Sequence, residues 1–149
     1  MSMNSGGAPA DLTTLEARLT WRIASKTITL GTGAVPVTEN LFAVTGEVEA
    51  SCFGFIGTAV TAVGALTLEL GVTGSTATLT AITAKAQLAI NRFWTDTTTA
   101  VGADTQTDPV LISAANILHV IRDSDATAGA ITYYCKWRPI STDGNVVAV

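Results

Sequence analysis

The chain has 149 residues, a formal net charge of −4 and a pI near 4.7. That length fits one domain able to bury roughly 70% of the surface its unfolded chain exposes, so folding requires neither a metal nor a disulfide. The acidic balance speaks against a nucleic-acid partner, which needs a basic stripe to neutralise phosphates, and a single His among scattered carboxylates offers little material for catalysis.

Residues 1–18 read as an N-terminal arm. Met1 to Ala10 is rich in Ser, Gly and Ala, with no basic start and no apolar stretch of the kind a secretory signal carries. After Asp11, a good N-cap, Leu12, Leu15, Ala17 and Leu19 fit one short helical turn or an extended arm lying along a partner. From Leu19 the period changes to two, the mark of half-buried strands, and residues 19–149 form the expected β-domain. Thr27 to Leu30 alternates and stops at Gly31-Thr32-Gly33, a turn that lacks the third glycine and the helix of a dinucleotide fingerprint. Pro36 places Val35–Thr38 at an edge or at a strand start.

Phe42, Val44, Val48, Ala50 and Cys52 then share one parity, opposite Thr45, Glu47 and Glu49. A bulge near Gly54 is expected to switch faces, so that Phe53, Phe55 and Gly57 continue the buried side. Ala50 to Leu68 is uncharged for nearly the length of a membrane span. Its glycines and threonines, and the acids at both ends, fit two strands and a small-residue loop better. Leu66, Leu68, Leu70 and Val72 alternate cleanly with polar residues or glycine. Gly74-Ser75 then turns into a returning strand with Ala77, Leu79 and Ala81 inward.

Ala84 to Ile90 fits a brief helix, and Phe93-Trp94 restarts extended structure. Thr95 to Asp108 is a polar loop and a candidate contact element. Val110–Ile112 and Asn116–Arg122 read as short strands, and Asp123 to Gly129 as a hairpin loop. Asp123-Ser124-Asp125 matches only the first part of a calcium loop, with no closing Glu, so it reads as a solvated turn. Ile131, Tyr133, Cys135 and Trp137 alternate with Thr132, Tyr134, Lys136 and Arg138 up to Pro139, leaving Ser141 to Val149 as a tail. Eight to ten short strands without a long helix indicate an all-β fold, an antiparallel β-sandwich or jelly roll with an extended N-terminal arm.

No catalytic residue, cofactor site or metal site is expected. His119 lies in an apolar strand with no local motif to supply a nucleophile, and reads as a partly buried strand histidine with a structural hydrogen bond. Cys52 and Cys135 read as buried or half-buried thiols in strands, bridgeable only if their strands are neighbours with Cα atoms within about 7 Å. Trp21, Trp94, Tyr133, Tyr134, Trp137 and Arg138 are the candidate anchors of the core or of an interface. A sugar-binding platform built on Trp21 or Trp94 is the alternative use of these aromatics.

The segment Tyr133-Tyr134-Cys135-Lys136-Trp137-Arg138-Pro139-Ile140-Ser141, followed by Asp143-Gly144-Asn145, resembles the ending of small virion structural proteins of tailed bacteriophages. Phe93-Trp94-Thr95-Asp96 and the Thr/Ala/Val-rich strands before it look similar, over about two-thirds of the chain from Val35 onward. The resemblance implies a non-enzymatic head decoration (cement) protein on the outer surface of a phage head. Its partners would be the major capsid protein and two further copies of itself in a trimer, with no nucleic acid and no membrane. A tail, neck or fibre-associated virion protein is the alternative. Charged residues are only 13% of the chain against roughly 25% in an ordinary soluble domain, which also favours an assembly that covers part of the surface.

Overall fold

The computed structural model describes residues 18–32, 35–95, 99–100 and 108–149. The proposed arm therefore lies outside the described residues as far as residue 17, as does most of the polar loop between 95 and 108. Among the described residues there are eleven strands: β1 (Arg22–Thr29), β2 (Val37–Thr45), β3 (Glu47–Ala62), β4 (Thr67–Val72), β5 (Ser75–Ala84), β6 (Phe93–Trp94), β7 (Thr99–Ala100), β8 (Val110–Ser113), β9 (Ile117–Arg122), β10 (Ala126–Pro139) and β11 (Asn145–Ala148). The brief helix expected after β5 is a single 3₁₀ turn, Lys85–Gln87.

The strands form two antiparallel sheets. The first is ordered β1-β10-β3-β6-β7, with β8 pairing the other end of β3; the second is ordered β11-β2-β9-β4-β5. Their inner faces close on one core that includes Phe42, Val48, Ile56, Leu68, Leu70, Ile117, Ile131, Tyr133 and Trp137. The protein is an all-β sandwich. At about 25 cal/mol per Å², this shared apolar core is the main source of its stability.

The alternation of β10 appears as expected: Ile131, Tyr133, Cys135 and Trp137 are buried, while the intervening residues are half-buried. β10 lies between β1 and β3, in the middle of its sheet. In β4, Leu68 and Leu70 are buried, and Glu69 on the opposite parity is also covered, held by Arg122 Nε at 2.7 Å.

Five sequence expectations need correction. The run from Phe42 to Cys52 is two strands, because Gly46 at φ +59° turns the chain from β2 in one sheet to β3 in the other. No face switch occurs at Gly54, for Cys52, Gly54 and Ile56 keep one parity inward. A side chain at Gly54 would meet Trp94 and Ile131, so the glycine makes room for the indole beneath it. The bulges lie instead between Ala126 and Ile131 of β10. In β5, register slips against β4 bury Leu79, Thr80 and Thr83 and leave Ala81 exposed. The Asp123 loop is not a hairpin, since β9 and β10 belong to different sheets. Finally, the tail contains β11, whose Val146 is buried where the strand pairs with β2.

Candidate functional site

Because Cys52, Gly54 and Ile56 point inward, Phe53 and Phe55 stand on the outer face of the first sheet. Cross-strand register then sets their neighbours. Tyr134 lies opposite Phe53 on β10, and Phe93 lies opposite Phe55 on β6. The Phe53 and Tyr134 rings stack at 5.4 Å and 25°. Phe93 meets Phe55 at 5.3 Å and the edge of Phe53 at 6.0 Å. These separations are within the range where aromatic pairs attract beyond simple burial.

Between these rings runs a shallow groove of about 390 Å³, lined by Phe53, Phe55, Phe93 and Tyr134. A second hollow of about 310 Å³ shares Phe53 and Tyr134 and continues to Ile23 and Lys136. Ile23 is 73% exposed and Phe93 38%. Single exposed apolar residues are ordinary, but these four rings form one contiguous aromatic patch on the sheet. The outer parity of β10 adds cations at the margin. Lys136 Nζ sits 4.8 Å from the centre of the Trp21 ring, and Arg138 Cζ 5.0 Å from it. Arg138 also pairs with Glu49 across the strand boundary. The face is therefore apolar at its centre and cationic at the end nearest Trp21.

Of the sequence-derived anchors, Trp94, Tyr133 and Trp137 are core residues, at most 4% exposed. Trp94 donates its indole N–H to Thr83 Oγ1 at 3.0 Å and meets the Tyr133 ring edge-on. Its burial leaves it no surface to offer a sugar. Trp21 and Arg138 do reach the margin of the outer face, but the Trp21 ring is already engaged by two cations. Tyr134 stands within the aromatic face itself, whereas Ile23, Phe53, Phe55 and Phe93 were missing from that set. The available signal was the unbroken small-residue parity Ala50-Cys52-Gly54, which leaves both phenylalanines outward if no bulge is invoked.

A second polar group lies inside the sandwich. His119 Nδ1 and the Tyr133 hydroxyl are 2.8 Å apart, and both residues are fully buried. Glu39 Oε2 stands 3.6 Å from Nε2, while Lys26 Nζ approaches Glu39 Oε1 and donates to the Asn40 carbonyl. The nearby carboxylate fits a proton on Nε2, with the tyrosine hydroxyl donating to Nδ1. Burial, and secondarily the Lys26 charge, lower the imidazole to about 4, so it is neutral at pH 7. Burial, and then Glu39, push the Tyr133 phenol up. No solvent reaches this pair, so it acts as a structural tie between β9 and β10, in keeping with the sequence reading of His119.

Asp123 behaves as a turn residue: its carboxylate accepts from Thr67 Oγ1, and its φ is +71°. Among the described residues no group of three His, Cys, Asp or Glu side chains gathers where it could hold a metal ion, and no helix is long and apolar enough to cross a membrane. No protein-family model, no curated protein and no solved structure matches the chain.

Proposed function

We propose that the protein is a non-enzymatic structural component of a bacteriophage virion, a decoration or cement protein seated on the outside of the head. The observation that carries this reading is the aromatic outer face built on Phe53, Phe55, Phe93 and Tyr134. An apolar centre with a cationic margin suits a protein surface of mixed apolar and acidic character, such as the shell formed by a major capsid protein. The phage-like ending supports the same reading, since Tyr133 to Pro139 completes β10 and Asn145 begins β11, two strands integral to the sandwich.

The strand orders β1-β10-β3-β8 and β2-β9-β4-β5 also support a finer description, a jelly roll of two nested Greek keys. The proposed working unit is a trimer at threefold positions of the lattice, where symmetry multiplies a modest contact into firm attachment. A reconstruction of the virion tests this proposal. Hundreds of copies at regular lattice positions are expected. A few copies confined to the tail or neck would contradict the decoration role in favour of the tail-associated alternative.

A further inference from the structure

β3 and β10 are the longest strands, of 16 and 14 residues, and pair along most of their length. Cys52 and Cys135 are direct register partners in that pairing. Both side chains point into the core, at 1% and 0% exposure, and both are free thiols in the structure. Directly opposed residues in an antiparallel pair have Cα atoms roughly 4.5–5.5 Å apart, inside the window of about 4.4–6.8 Å that a disulfide requires. As register partners with both side chains inward, the two thiols lie on the same side of the strand pair. Neighbouring pairs on this face set a large side chain against a small one, Tyr133 against Gly54 and Trp137 against Ala50.

We propose that Cys52 and Cys135 form a cross-strand disulfide when the chain folds in an oxidising medium, stapling the two central strands of the first sheet. The closed loop holds more than eighty residues and includes β4 to β9. Long loops are those whose closure most restricts the unfolded chain. With a small disulfide such as oxidised glutathione as oxidant, the thiolate of one cysteine attacks it and expels one glutathione thiolate. The second cysteine thiolate then attacks the protein sulfur of the mixed disulfide and expels the other. Two protein thiols lose two protons and two electrons, and the oxidant becomes two reduced thiols. Burial pushes the Cys52 thiol well above its ordinary value, which leaves the folded pair slow to react. The bridge therefore forms as β3 and β10 pair, before the second sheet covers them.

The test is to unfold the full chain and refold it either in a glutathione redox buffer or under reductant. Intact mass, thiol titration in denaturant, peptide mapping and thermal unfolding are then compared. The oxidised sample should be lighter by two hydrogens, carry no free thiol and yield a Cys52–Cys135 linked peptide. It should unfold roughly 5–10 °C higher than the reduced sample. Cys52→Ala and Cys135→Ala should each abolish that difference, and their own folding is checked under reductant. Two free thiols, glutathione adducts or bridges only between chains in the oxidised sample would overturn the proposal. So would a linked protein with an unchanged midpoint.

Discussion

At His119 the sandwich holds a neutral imidazole whose Nδ1 meets the Tyr133 hydroxyl at 2.8 Å. Its folded value of about 4 lies below the ordinary 6.5, so between these values the unfolded chain binds the proton more readily. Stability is therefore full above about pH 6.5 and falls as pH drops toward 4, by about 3 kcal/mol in all. Chemical denaturation at stepped pH should reveal this slope, and the double variant His119→Leu/Tyr133→Phe should lose it. Removing both partners leaves no orphaned hydroxyl, whereas His119→Leu alone should cost about 1–3 kcal/mol more than the double change. Trp137 makes a different contribution, filling space at 4% exposure in the middle of the core. Trp137→Ala should cost about 3–5 kcal/mol, read from the denaturation midpoint.

Among the strands, β10 was the most legible in the sequence, because four bulky inward residues alternate there with polar or half-buried ones. β3 was misread for a physical reason. Period-two reasoning assumes that the more apolar side faces the core, yet here Cys52 and Gly54 face inward and two phenylalanines face out. The large Trp94 ring lies over Gly54 and supplies the bulk that β3 lacks. That same inversion concealed the aromatic face, which is visible only once the register with β6 and β10 is known. β11 was missed because four residues after a turn carry too little pattern, and its pairing with β2 depends on the whole fold. The corner at Gly46 is a testable element of this arrangement. A Cβ there would lie 2.5 Å from both Asp143 Oδ1 and Ser141 Oγ, at a φ of +59°. Gly46→Ala should therefore destabilise by about 1–3 kcal/mol in urea titration, from left-handed strain plus the displaced turn.

For the whole molecule, the proposal rests on the sparse charge and the aromatic outer face: a sandwich that would present an apolar surface to a larger assembly. The oligomer and the docking face are separable within it. Light scattering of the purified protein is expected to give a trimer, and a monomer that also attaches singly to heads would remove the threefold part alone. Docking is tested most directly by titrating phage heads that lack the protein with wild type and with the Phe53→Ser/Phe93→Ser variant, counting bound copies by sedimentation. Both positions lie on the outer face, so the variant should keep an unfolding free energy within about 1–2 kcal/mol of wild type. It should bind at least about tenfold more weakly, the loss expected when aromatic anchors leave an interface. Wild type that fails to bind heads, or a folded variant that binds as tightly as wild type, would contradict the proposal that this face seats the protein on its shell.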